Sequence, residues 1–155
     1  MIPSARGDAL SAIWLTLQDA AERRTAFTAM QLATIGATAA PQIRTIILRR
    51  FDQSAGALFF ISDRRAPKVR DILKNPNVAL AGYDPGSNTQ LRMEGRASVV
   101  DDEAARRDVW ALLRPPTRKM FDAPLAPGTP MEAGLESGHL AAAAWSRMAR
   151  MSAAA

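Results

Sequence analysis

Two short segments carry most of the residues able to do chemistry in this sequence. The first reads Arg44-Thr45-Ile46-Ile47-Leu48-Arg49 and the second Ser62-Asp63-Arg64-Arg65-Ala66-Pro67-Lys68. Arg44 and Arg49 are five positions apart, an odd separation, so along a strand they point to opposite faces unless a bulge intervenes. One is then available to a ligand while the other meets the rim or a partner chain. The second segment has the pattern of a strand running into a helix. Its first helical amides, the Ser62 hydroxyl, Arg65 and Lys68 would converge on one spot, and a helix N-terminus flanked by cations is a phosphate site. The guanidinium fork pairs with phosphate or carboxylate oxygens two at a time. The plainer reading of the same residues is a set of solvent-facing charges at an element boundary.

Composition narrows the alternatives. There is no cysteine, which excludes a disulfide, a thiolate metal site and a cysteine nucleophile. The single histidine, His139, argues against most zinc sites and against a Ser-His-Asp triad, and it reads as a surface residue in a poorly patterned loop. No metal site is expected, and no catalytic residue is assigned. Twenty basic residues against fifteen acidic leave a charge of +5, and seventeen of the twenty are arginine. With a pI near 10.7, the chain suits an anionic ligand, either a nucleic acid or a phosphorylated cofactor. Aromatic residues are only 6%, and the strands lack the exposed aromatic pairs on which bases stack, so no nucleic acid is expected.

At 155 residues, 48% apolar and 23% charged, the chain has the composition of one globular core. No apolar run approaches the roughly 20 residues needed to span a bilayer. The start lacks the apolar core of a secretory signal. A cytoplasmic protein with no membrane partner is the expectation.

The elements that must position these cations follow from periodicity. Leu10, Ile13, Trp14 and Leu17 predict an amphipathic helix over 8–22, with Asp8 as its N-cap. Strands are expected over 25–36, 43–51 and 57–62, separated by turns at 37–41 and 52–56. Pro67 opens a short helix ending at Asn75-Pro76, with Val69, Ile72 and Leu73 facing inward. Strands follow over 77–83 and 90–100, joined by the turn Asp84-Pro85-Gly86-Ser87-Asn88. In the last strand Leu91, Met93, Gly95, Ala97 and Val99 share one face. A helix from 101 to 113 pairs Asp102 with Arg106 and Glu103 with Arg107, and turns Val109, Leu112 and Leu113 inward. Five prolines make 115–138 an irregular loop, and alanine content makes 140–151 a helix. Five or six mostly antiparallel strands with marginal helices imply a small barrel.

The runs R-T-I-I-L-R, F-F-I-S-D-R-R-A-P-K, N-P-N-V-A-L, Q-L-R-M-E-G-R-A and D-V-W-A-L-L-R-P-P-T-R-K-M-F, in that order, resemble the pyridoxamine 5'-phosphate oxidase family. They are most similar to its general FMN-binding branch, and the resemblance covers about 26–121. It implies a mainly β fold with flanking helices, a six-stranded antiparallel split β-barrel of FMN-binding type. It implies a homodimer with FMN in the inter-subunit cleft. The flavin phosphate would be held by Arg44, Ser62, Arg65 and Lys68. Thr45, Ile46, Ile47 and Ile61 would run beside the flavin ring, with Arg49 close by, and Gln90 would hydrogen-bond it. A small-molecule substrate would meet Arg49, Trp110 and Arg114.

The sequence departs from that pattern at three places. Ala66 replaces a serine in the phosphate stretch, Arg118 replaces a serine near the substrate, and Trp110 stands where the family has tyrosine. An anionic substrate remains in keeping with Arg114, while pyridoxamine phosphate itself is put in question. The family ends in a strand carrying a tryptophan and an arginine. Here the chain reads as an FMN-binding domain over 1–121 and a Pro/Ala-rich extension over 122–155, with a helical reading for its last part. Loss of the closing strand would leave one barrel edge open. The leading function is an FMN-dependent oxidoreductase. The alternative is a non-catalytic binder of FMN or another phospho-ligand.

Overall fold

The computed structural model describes residues 5–129 and 146–153, the first two and the last eight of these by backbone alone. Its elements in chain order are α1 (Ala5–Glu22), β1 (Ala29–Ile35), β2 (Pro41–Asp52), β3 (Ala57–Asp63), α2 (Pro67–Lys74), β4 (Asn77–Asp84), β5 (Thr89–Val99), α3 (Glu103–Leu112), α4 (Pro115–Lys119) and β6 (Ser146–Ala153). The six strands close into a barrel in the order β1-β2-β3-β6-β5-β4, every neighbouring pair antiparallel.

Strand parity builds the interior. Met30 and Leu32 of β1, Ile46 and Leu48 of β2, Leu58 and Phe60 of β3, Leu80 of β4, and Leu91 and Ala97 of β5 fill one buried cluster. Each large apolar side chain taken from water contributes about 1.5–3 kcal/mol. The α1 helix closes one end of this cluster with Leu17 and Ala20, and Trp14 tilts against Phe51 at 5.3 Å between ring centroids. Leu10, expected on that inner stripe, is exposed, and Asp8 lies inside the helix rather than capping it. The continuous apolar run of β3 has its reason in burial on both faces. Leu58 and Phe60 enter the barrel, while Ala57 and Phe59 are covered from outside by Val100 and by Val109 of α3.

The helices differ from expectation where one residue is claimed by another partner. Asp102 accepts from the amides of Ala104 and Ala105 as the N-cap of α3, so it is not available to Arg106. Arg106 pairs instead with Asp101 and Glu103, and Arg107 pairs with Glu103 as expected. Leu73 and Leu112 point outward, at 70% and 84% exposure. The proline-rich segment contains the short α4, started by Pro115 in the first-turn position that proline tolerates.

The largest correction is at the C-terminus. Residues 146–153 are not helical: they form β6, which pairs with β3 on one side and β5 on the other. The barrel therefore has no open edge there. Ladder bonds on both sides of β6 outweigh the helix propensity of its alanines and methionines. His139 and the tail's one tryptophan, Trp145, lie outside the described residues.

Candidate anion-binding site

The short helix α2 brings Lys68 and Asp71 over the end of the barrel beside Arg44. The reason is local. Pro67 starts the helix, Val69 and Ile72 bury its inner face, and Asp71, on the same side, goes down with them. Arg44 stands opposite Leu32 in the β1–β2 ladder and shares the inward parity of Ile46 and Leu48. Its guanidinium donates to Thr34 Oγ1 at 2.7 Å, to the carbonyls of Gln42 and Leu32 at 3.2 and 3.3 Å, and to Asp71 Oδ2 at 3.4 Å. Thr34, itself buried, donates its hydroxyl to the same Asp71 oxygen at 2.8 Å. Arg44 is thus held in place by a buried acid and a buried hydroxyl.

Lys68 stands close enough to Arg44 to feel its charge. Burial lowers the lysine pKa first, the positive charge of Arg44 lowers it further, and Asp63 only partly opposes them. Arg44 is likewise pushed below its ordinary value by desolvation, against the attraction and hydrogen bond of Asp71. Two cations with incomplete hydration and overlapping fields make a positive spot at this end of the barrel. The Lys68 amide at the start of α2 adds to it: Pro67 has no N–H, the Ala66 and Val69 amides donate to the carbonyls of Asp63 and Ala66, and Ala66 at the N-cap offers no side-chain acceptor.

Two members of the expected phosphate set are committed elsewhere. Ser62 is buried and its hydroxyl donates to the Asp63 carbonyl at 3.1 Å. Arg65 grips Asp63 through Nε and one terminal nitrogen, the latter at 2.8 Å. Its remaining contacts reach the carbonyls of Ala123 at 2.8 Å and Pro124 at 3.1 Å. Arg65 therefore fastens the segment after α4 to the start of α2. Burial works to raise the Asp63 pKa, but the hydrogen bonds and charge of Arg65 outweigh it and leave the carboxyl below its usual range. Of the four cofactor-phosphate candidates, the fold brings together Arg44 and Lys68.

Arg49 lies on the other face. The β2–β3 register jumps between Leu48 opposite Phe60 and Arg50 opposite Phe59, so Arg49 is the extra residue of a β-bulge. After the bulge both Arg49 and Arg50 face outward and Phe51 returns to the core. Arg49 lines a cleft of about 860 Å³ between the end of α1, the bulge, and the α3–α4 turn. Ile47, Ile61 and Arg114 line it too. Desolvation lowers the Arg49 pKa. Trp110 does not line this cleft. Its ring packs edge-on to Phe121 at 5.8 Å, and the Arg118 guanidinium sits 5.9 Å from its centroid.

The remaining expected residues scatter. Thr45 is exposed and exchanges hydrogen bonds with Gln31, and Ile46 is a core residue that offers only its backbone. Gln90 is exposed at the β4–β5 end, three strands away from Arg44 around the barrel, and is not brought to it within this chain. Sequence reasoning missed Asp71 and Thr34. The one available signal was Asp71's place on the inner face of a helix three residues after Lys68, where a lone acid needs a partner.

Among the described residues no group of three or more His, Cys, Asp or Glu could hold a metal, and no helix is long and apolar enough to cross a membrane. A family profile described as "Pyridoxamine 5'-phosphate oxidase, FMN-binding domain" matches residues 11–101. The pyridoxine/pyridoxamine 5'-phosphate oxidase of Anaeromyxobacter dehalogenans is 34% identical over 88 residues, 57% of this chain and 42% of that protein. The enzyme of the same name from Xylella fastidiosa is 37% identical over 90 residues, 56% of this chain and 41% of its own. The match thus spans less than half the length of these relatives. A pyridoxamine 5'-phosphate oxidase-related, FMN binding protein from Nostoc punctiforme shares the fold at a TM-score of 0.71 and 23% identity, over 99% of this chain and 83% of that one. PhzG from Burkholderia lata, solved with tetrahydrophenazine-1-carboxylic acid, shares it at 0.70 and 17% identity, over 97% and 78% of the two chains. With the profile spanning more than half of its residues, the chain belongs to the pyridoxamine 5'-phosphate oxidase FMN-binding domain family.

Proposed function

We propose that the protein binds FMN and acts as an oxidoreductase on a small anionic substrate. The observation that carries this reading is the pairing of Arg44 and Lys68 beside the uncapped start of α2. Two partly desolvated cations side by side repel each other, and a phosphate between them relieves both. The residues fit a flavin phosphate, with two charge-assisted contacts each contributing about 1.5–3 kcal/mol. Arg44 arrives pre-oriented by Asp71 and Thr34, so little side-chain entropy is lost on binding. FMN, when bound, supplies the hydride or electron transfer, which this chain's side chains cannot.

The rest of the chain then has defined roles. The outer face of β2 carries Ile43 at 71% and Ile47 at 37% exposure, apolar surface suited to a second copy of the chain, with the flavin between the two. Arg49 and Arg114 in the adjoining cleft bind and orient the anionic substrate. Membership of the FMN-binding family supports the cofactor, and the aromatic carboxylic acid named with PhzG supports the substrate class. One observation favours the alternative of a binder without turnover: Trp110, expected at the substrate, is engaged with Phe121.

The test is a visible spectrum of protein purified from a bacterial host, followed by titration of the full chain with FMN. A flavin spectrum, with affinity weakened about tenfold or more by Lys68→Ala, is expected. A colourless protein that takes up no added FMN overturns the reading. Anaerobic photoreduction and a panel of donors separate an enzyme from a binder.

A further inference from the structure

The cleft beside the bulge presents arginines that no acid pairs, set around an apolar wall. Five arginines line it: Arg23, Arg24, Arg49, Arg50 and Arg114. Two are spent. Arg23 is bound to Asp19 one turn back in α1, and Arg50 pairs with Asp52 at 3.5 Å and lies over the Phe59 ring. Arg24, Arg49 and Arg114 form no ion pair or side-chain hydrogen bond among the described residues, and they come from three separate places: the loop after α1, strand β2 and the turn between α3 and α4. Two acids share the cleft wall, Glu22, which accepts from Gln18, and Asp108, and neither forms an ion pair with these three arginines.

The position of Arg24 is built rather than frayed. Thr28 donates its hydroxyl to the carbonyls of Ala20 at 2.9 Å and Arg23 at 3.0 Å, closing the end of α1. The Thr25 amide donates back to Thr28 Oγ1 at 2.9 Å. The Thr28 carbonyl then accepts from the Leu48 amide at 2.8 Å, immediately before the bulge that carries Arg49. One hydrogen-bonded turn therefore ties Arg24 to the strand position that presents Arg49. Between the cations the wall is apolar, with Ala21, Ile47, Ile61, Val109 and Leu113.

We propose that this cleft selects a ligand with an apolar, ring-sized body and two anionic groups, and that Arg24 is the residue that reads the second group. Arg49 and Arg114 take the first. The assignment rests on the proposal that this cleft is the substrate side of a flavin site, and it deepens that proposal by naming the substrate class. Arg24 lies outside the hydrogen-bond network of Arg44, the side that would hold the cofactor phosphate.

The experiment uses the full chain and two probes of the same ring, benzoate and benzene-1,4-dicarboxylate, titrated by ligand-observed NMR with and without saturating FMN. The wild-type protein is expected to bind the dicarboxylate about tenfold more tightly than the monocarboxylate, in the range of one charge-assisted contact. Arg24→Ala brings that ratio to about one, leaves benzoate and FMN affinity unchanged, and Arg24→Lys restores most of the preference. Arg24 is exposed, so an unchanged circular dichroism spectrum and melting temperature confirm that each variant folds. A wild-type protein that binds FMN but shows no preference, or a preference that survives Arg24→Ala, overturns the inference. A protein that binds no FMN yet keeps an Arg24-dependent preference sinks the flavin reading and leaves the selectivity of the cleft standing.

Discussion

Arg65 and Asp63, two residues apart, form a paired contact at the start of α2, and the same guanidinium reaches across to the carbonyls of Ala123 and Pro124. The partners on the far side are 58 and 59 residues away in sequence. The arginine that the motif assigns to a phosphate also clasps the segment after α4.

This clasp separates two otherwise similar basic residues. Arg65→Ala is expected to open the 122–129 segment to limited proteolysis while changing FMN affinity less than about threefold. Lys68→Ala is expected to do the reverse, weakening FMN about tenfold or more and leaving the cleavage pattern unchanged. Equal losses of FMN affinity in both variants would return Arg65 to the phosphate.

Asp71 is the acid on which Arg44 depends. Removing one partner of a buried pair leaves the other charge uncompensated, so Asp71→Ala is expected to cost about 3 kcal/mol of stability in chemical denaturation. Thr34→Val removes one hydroxyl from the same network and should cost about 1 kcal/mol. Asp71→Asn keeps the shape and an acceptor but loses the charge. It is expected to retain the fold and to lower FMN affinity, because a neutral amide holds the Arg44 guanidinium more weakly than a carboxylate does. Unchanged stability in Asp71→Ala would mean that the contact at 3.4 Å contributes nothing.

The lowered pKa of Lys68 gives a pH dependence with a definite sign. Burial is the main cause and the charge of Arg44 the second. Between that lowered value and the ordinary value of about 10.4, the folded chain holds fewer protons than the unfolded one, so this residue's contribution to stability rises with pH. Anion affinity runs the other way. A bound phosphate favours the ammonium, so affinity falls as pH rises through the lowered pKa. On the acid side, affinity falls below about pH 6, where the phosphate takes up its second proton. Lys68→Arg is expected to extend the alkaline limb of an FMN binding profile, since arginine stays charged. An alkaline limb that does not move would assign it to another group.

The barrel was legible in the sequence wherever one periodicity acted alone. The alternation of β5 and the apolar run of β3 gave their elements directly, since one is half-exposed and the other covered on both faces. The tail was not legible. Ser146–Ala153 contains good helix formers, and it is a strand only because β3 and β5 offer it ladders on both sides, in the register Ala149 opposite Phe60 and Val99. At the site, the like charges of Arg44 and Lys68 were visible as a motif. Their counter-charge was not, because Asp71 meets Arg44 across 27 residues and no local pattern joins them. The bulge at Arg49 was equally hidden, since an inserted strand residue leaves no mark on composition.

Trp110 supplies the last test, because its motif position and its packing disagree. The motif places it against a substrate. Its ring instead meets Phe121, and Arg118 lies over its face while donating to the Ala111 carbonyl at 2.8 Å. Arg118 Nε is buried without a hydrogen-bond partner among the described residues, so the Trp110 face is the group that offsets its desolvation. Trp110 therefore joins α3 to α4 and the residues that follow. Trp110→Ala is expected to cost about 2 kcal/mol, near 6 °C in melting temperature for a chain of this size, with FMN affinity unchanged. Trp110→Phe should recover much of the loss by keeping an aromatic contact to Phe121. A variant with an unchanged melting temperature and a selective loss of binding for anionic aromatic compounds would place Trp110 at the ligand after all.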